Sequence, residues 1–126
     1  MMDRHISCAT PRGALQVRVA GSFIARGLGL LAGAPLQADE GLLIAPCGSI
    51  HTLGMRYAID VVFLDAAGRV LRICPNVGAG RARIGRGARS VLELRAGAAA
   101  RHGLVPGLWL AGLAGARPAQ AGPLPT

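Results

Sequence analysis

Leu15, Val17 and Val19 alternate with Gln16 and Arg18, the period-two pattern of a half-buried strand. After Gly21, Ser22 is a candidate N-cap. Phe23, Ile24, Leu28, Leu30 and Leu31 then predict a short helix, ended by Gly33 and Pro35. Leu42-Leu43-Ile44 predicts a short buried strand stopped by Pro46, and Ile50 to Met55 reads as extended. Ile59 to Leu64 is an apolar, β-branched run interrupted only by Asp60. Asp65 to Gly68 forms a loop, with Asp65 placed to accept backbone N–H groups of the turn. Val70, Arg72 and Cys74 then alternate with Leu71 and Ile73, so residues 58–74 predict a β-hairpin. Ser90 to Leu94 predicts another strand, with Glu93 as its polar position. Ala98 to His102 predicts one helical turn stopped by Gly103, and Gly107 to Leu110 a last short strand.

Short strands with one substantial helix predict a mainly β fold. The expected architecture is a β-sandwich, jelly-roll-like or partly open barrel with one short N-terminal helix, since such arrangements protect strand edges. Residues 13–111 form the predicted single domain. Residues 1–12 are expected to be a loose arm and 112–126 a disordered tail. Gly78 to Gly87 is expected to be a mobile basic loop.

Composition changes this picture in two ways. Aromatics are 3% of the 126 residues, so the core must be aliphatic. The net charge is +8 and every basic residue is Arg. The excess is spread along the chain, which fits a base-composition bias better than a dedicated anionic partner. Three cysteines, an odd number, argue against a disulfide framework and for reduced thiols. No run is apolar and long enough to predict a membrane-spanning helix, and the expected location is the cytoplasm.

Five blocks resemble one family in order. They are Arg26-Gly27-Leu28, Glu40 to Leu43, Ser49 to Thr52 with Met55, Ile59 to Asp65, and Val91 to Leu94 with Ala96-Gly97. Together they are similar to domain of unknown function 192. That resemblance implies a small β-sandwich-like or jelly-roll-like domain with a short helix near its start, and no activity. Many relatives carry Trp-Met-Lys-Asn-Thr where this chain has Ile50 to Arg56, so this is a His-Thr variant of that block. The Gly-Asp common near the family's last strand is Gly107-Leu108 here, so no role of that Asp carries over.

The candidate chemistry concentrates in one stretch. His51, Thr52, Arg56 and Asp60, with Arg26, are the expected ligand-binding residues. A carboxylate within an apolar strand is costly if buried unpaired, so Asp60 must be solvated or partnered. Two readings stay open for it: an Arg–Asp bridge or backbone clamp that defines the fold, or a wall of a polar pocket with His51 and Thr52. Cys47, four residues before His51, is a candidate reactive thiol, but in an extended segment that spacing holds the pair roughly 13 Å apart. A catalytic role for the pair is therefore disfavoured, and so is a metal site, since no C-x2-C pair exists. Arg81, Arg83 and Arg86 form a candidate anion-binding loop without neighbouring aromatics for base stacking. No dinucleotide, P-loop or nucleophile-elbow pattern is present.

The expected function is thus a non-enzymatic β module. It would bind a small anionic ligand or a protein partner at the pocket around His51, Arg56 and Asp60, with no cofactor, metal or membrane partner. A Cys/His enzyme and a nucleic-acid binder using the Arg-rich loop are the alternatives.

Overall fold

A computed structural model of the chain describes residues 4–20, 35–46, 48–51 and 57–117, with backbone alone for 49–51. The fold is mainly β. Its strands are β1 (Arg4–Thr10), β2 (Gly13–Ala20), β3 (Glu40–Ile44), β4 (Ser49–His51), β5 (Ile59–Leu64), β6 (Val70–Val77), β7 (Ala82–Ile84) and β8 (Ser90–Arg95). One helical turn, α1 (Ala98–Arg101), and a 3-10 turn at Ala111–Leu113 follow. Six strands form an open sheet in the order β1-β2-β3-β8-β5-β6, and β4 pairs with β7 as a separate ribbon. Within the large sheet β2 and β3 are parallel and the other pairs antiparallel. The parallel pair requires a crossover connection between Ala20 and Glu40.

The hairpin formed by β5 and β6 confirms the strongest sequence expectation. In its loop, Asp65 Oδ1 accepts N–H bonds from Ala67 and Arg69, both at 2.9 Å. Gly68 has φ +85°, and an added Cβ there would lie 2.5 Å from the Leu110 carbonyl. The loop needs glycine both for its left-handed backbone and for the C-terminal segment passing over it.

Both faces of the central strands are buried, so alternation does not mark a solvent side. One face, the Val62 face, carries Leu15, Val17, Leu43, Val62, Leu64, Leu92 and Leu94. α1 and the segment from Leu104 to Ala116 cover it. The other, the Phe63 face, carries Leu42, Ile44, Ile59, Val61, Phe63, Cys74 and Val91. The β4–β7 ribbon lies on this second face. A Cβ added at Gly85, just past β7, would sit 2.4 Å from the Phe63 ring.

Four expectations are corrected. Residues 4–10 are not a loose arm but strand β1, paired along its length with β2. Cys8 faces inward there and is 1% exposed, so burial anchors a segment whose period is weak. Residues 112–117 are not a free tail, since Leu113 and Ala116 pack on the Val62 face. The basic loop contains β7, ordered by its pairing with β4. The expected strand at 107–110 is reduced to one bridge, Arg69 with Trp109, beside the start of β6. The expected helical turn at 98–102 is present as α1. The predicted helix at 23–31 lies outside the described residues.

Candidate functional site

Asp60 is 1% exposed. It sits opposite Leu94 in the sheet and so belongs to the Val62 face. On its other side the ladder slips: Ile59 pairs with Val77 and Val61 with Cys74, so Asp60 alone faces Pro75 and Asn76. This is a β-bulge, and Asn76 adopts φ 52° in it. A bulge leaves a ladder N–H without its carbonyl, and Asp60 Oδ1 accepts that Asn76 N–H at 2.9 Å. Asp60 Oδ2 accepts the N–H groups of Gly97 at 3.1 Å and Ala99 at 3.0 Å. The N-cap of α1 is Gly97, which has no side chain to cap with. Asp60 therefore caps α1 from a distant strand. It is a backbone clamp, and no Arg is needed to explain its burial.

The carboxylate left without such support is Glu93. It pairs across the sheet with Leu42 and Val61, both on the Phe63 face. Glu93 is 4% exposed, and burial pushes its carboxyl up to about 7. Among the described residues no hydrogen bond or ion pair to it is present. Tyr57 lies nearby: its hydroxyl is buried, has no hydrogen-bond partner among the described residues, and is pushed up by burial and by the Glu93 charge. Tyr57 also lines a cleft of about 380 Å³ with Pro35, Leu36, Ala58, Arg95 and Ala96. Arg95 follows Glu93 by two positions on β8, so both belong to the same face.

The expected site residues divide as follows. β4 places the His51 backbone in the ribbon over the Phe63 face, opposite Ala82. Asp60 points to the other face and has both oxygens engaged, which separates it from that ribbon. Arg26, Cys47, Thr52 and Arg56 lie outside the described residues. Arg81 and Arg86 are exposed, while Arg83 is half-buried and bonds the Ala82 carbonyl at 2.7 Å. The other two cysteines, Cys8 and Cys74, are free, buried and on opposite faces. Burial pushes the Cys8 thiol up, which suits an inert core thiol. Among the described residues no group of His, Cys, Asp and Glu could hold a metal ion.

Sequence reasoning missed Glu93, Tyr57 and Arg95 as a group. Its available signal was a charge inside Val91 to Leu94, the same signal that singled out Asp60. It also missed a second polar cluster. His102, 4% exposed, bonds Thr10 Oγ1 through Nδ1 at 2.8 Å and Asp39 Oδ1 through Nε2 at 2.9 Å. Arg101 Nη2 donates to the same Asp39 oxygen at 2.9 Å and to the Ala38 carbonyl at 2.6 Å. An ionised carboxylate only accepts, so Nε2 carries the proton and the Thr10 hydroxyl donates to Nδ1 when the ring is neutral. The order hydroxyl, imidazole, carboxylate resembles a catalytic relay. Here it ties the end of β1, the turn before β3 and the end of α1 together.

Among solved structures, a protein of unknown function from Novosphingobium aromaticivorans DSM 12444 is similar at TM-score 0.70 and 22% identity, over 83% of this chain and 81% of that one. A candidate transcription regulator from Sinorhizobium meliloti 1021 is similar at TM-score 0.70 and 23% identity, over 84% and 90%. These likenesses establish the shared fold. No curated protein matches the chain. Among the described residues, no helix is long and apolar enough to cross a membrane. The family DUF192, described as Uncharacterized ACR, matches residues 6–111, from within β1 to the start of the last 3-10 turn. The chain belongs to the DUF192 family.

Proposed function

We propose that this chain is a non-enzymatic binding module that takes a small anionic ligand in the cleft beside Tyr57. The observation that carries this reading is the Tyr57 hydroxyl, buried without a partner among the described residues and sharing its cleft with Arg95. A buried polar group left unpaired costs about 1–3 kcal/mol, so it is a natural place for a ligand's polar atom. Arg95 supplies the positive charge, and Leu36, Pro35 and Ala58 supply an apolar wall. In this reading His51, Thr52 and Arg56 extend the site, since β4 runs over the same face and Arg56 directly precedes Tyr57. Asp60 is not among the ligand contacts of this reading.

Thermal shift and calorimetry with acetate, succinate, phosphate and free amino acids test the reading. At least one should raise the melting temperature by several degrees at saturating concentration, about what a hundredfold excess over Kd provides. Arg95→Ala should abolish that shift. A flat response across the whole panel would sink the idea.

Nucleic-acid binding through Arg81, Arg83 and Arg86 is the second reading. It is supported by the exposed arginines of the β7 region and by the description of the S. meliloti neighbour. It predicts affinity for DNA that falls steeply with salt, and absence of binding at low salt removes it.

A further inference from the structure

We propose that the chain has a second ligand site, for hydrogenphosphate, where the C-terminal segment returns to the β5–β6 loop. It shares no lining residue with the Tyr57 cleft and does not rest on that reading. Arg89 and Ser90, where β8 begins, Asp65 in the loop and Arg117 in the C-terminal segment line a cleft of about 110 Å³. That is space for several water molecules, enough for one tetrahedral oxyanion. Backbone hydrogen bonds fix its walls. Arg89 N–H donates to the Leu64 carbonyl at 2.8 Å, Gly68 N–H to the Asp65 carbonyl at 3.1 Å, and Gly115 N–H to the Ala66 carbonyl at 3.0 Å. Ala116 packs on the Val62 face, which sets Arg117 beside the loop. The cleft is therefore formed before any ligand arrives.

The chemistry of the walls selects an anion that keeps a proton. Two guanidiniums from separate segments meet one carboxylate, so the cleft is positive on balance. Among the described residues neither Arg89 nor Arg117 makes an ion pair or a side-chain hydrogen bond. Ser90 is 7% exposed, and its hydroxyl has no hydrogen-bond partner among the described residues. A planar carboxylate offers two oxygens and is satisfied by a single guanidinium fork. A phosphate sets its oxygens tetrahedrally and takes both forks and the hydroxyl together. Asp65 adds the selectivity. Its Oδ1 accepts the Ala67 and Arg69 N–H groups at 2.9 Å, and Oδ2 remains an acceptor. That oxygen suits the P–OH of hydrogenphosphate and repels an oxyanion without a proton.

The test is calorimetric titration at pH 8 and constant ionic strength with inorganic phosphate, sulfate and glycerol phosphate. At that pH all three are dianions, and only inorganic phosphate still carries a proton. It should bind saturably, and about tenfold more tightly than the other two. Arg89→Gln and Arg117→Gln should each weaken it by about tenfold or more, and Arg95→Ala should leave it unchanged. Asp65→Asn keeps an oxygen for the loop N–H groups and should erase the preference over sulfate. Equal affinity for the three anions overturns the proposal, as does phosphate binding that survives both Arg89→Gln and Arg117→Gln. Binding lost in Arg95→Ala instead places phosphate in the Tyr57 cleft, overturning this site and supporting that one. No phosphate binding removes this site alone, since acetate, succinate and amino acids still test the other. Arg89 and Arg117 are exposed, and the comparison of anions uses the unaltered protein, so the outcome does not depend on a variant that fails to fold.

Discussion

On the Val62 face, Asp60 gives both carboxylate oxygens to backbone N–H groups. On the Phe63 face, Glu93 has no hydrogen-bond partner among the described residues. Both are acids in the middle of apolar strands, and both are almost wholly buried. The difference lies in what the fold brings to each. Asp60 meets a bulge and the start of a helix, two places where backbone donors are left over. Glu93 sits between Leu42 and Val61 in regular ladders, whose N–H groups already have carbonyl partners. A buried acid that caps spare donors is part of the scaffold. A buried acid that meets only side chains costs the scaffold its desolvation.

The sharpest way to break this comparison is to remove each acid. Asp60→Ala orphans three N–H groups, those of Asn76, Gly97 and Ala99. At about 1–3 kcal/mol for each buried unsatisfied donor, the loss should total roughly 4 kcal/mol, readable as a lower urea midpoint. A loss under 1 kcal/mol would mean that water or a rearranged loop serves those donors equally well.

Glu93 should behave in the opposite sense. Its carboxyl in the folded protein is raised from 4.5 to about 7, so the folded state holds this proton more tightly than the unfolded chain does. Its contribution is therefore most favourable below about 4.5 and is lost as the pH rises towards about 7. The slope across that window should remove roughly 3 kcal/mol of stability. Glu93→Gln should flatten it and make the protein more stable than the parent at pH 8. Urea titrations at pH 5 and pH 8 measure both effects, and an unchanged slope in the variant would assign the pH dependence elsewhere.

The two faces also differ in how their covers are attached. The Val62 face is covered by chain that hydrogen-bonds to the hairpin, including Val70 N–H to the Leu108 carbonyl at 2.8 Å and Leu110 N–H to the Gly68 carbonyl at 2.8 Å. The ribbon on the Phe63 face is held by the closeness of Gly85 to Phe63 and by a side chain of the hairpin, Arg72, whose Nη1 donates to the Ile84 carbonyl at 2.8 Å. Gly85→Ala should cost about 1–3 kcal/mol, because the ring has to give way to the new methyl group. Hydrogen exchange should speed up in β7 more than in β8 if the ribbon is what moves. The smallest effect is expected at the His102 cluster. Thr10→Val removes one hydrogen bond to Nδ1 and should cost about 1 kcal/mol. Since Thr10 can donate to the neutral ring or accept from the charged one, that bond should persist when His102 is protonated.

Local pattern carried the hairpin at 58–74, the Asp65 turn, the strands expected at 15–19, 42–44 and 90–94, and the family. Each depends on residues within a few positions of one another, and period-two alternation or a turn residue records them directly. It also marked Asp60 as an anomaly and left two explanations for it. Only the tertiary structure could choose, because the partners of Asp60 are backbone groups sixteen to thirty-nine positions away, and backbone donors leave no trace in residue type. The same holds for β1, which is ordered by β2 and by the burial of Cys8 rather than by its own propensity. Glu93 is the clearest case. Its sequence context reads as the polar side of an alternating strand, but β8 lies between β3 and β5 with both faces covered, so no solvent side exists. Sequence specified that an acid stands there; the layering of the fold made it a buried one.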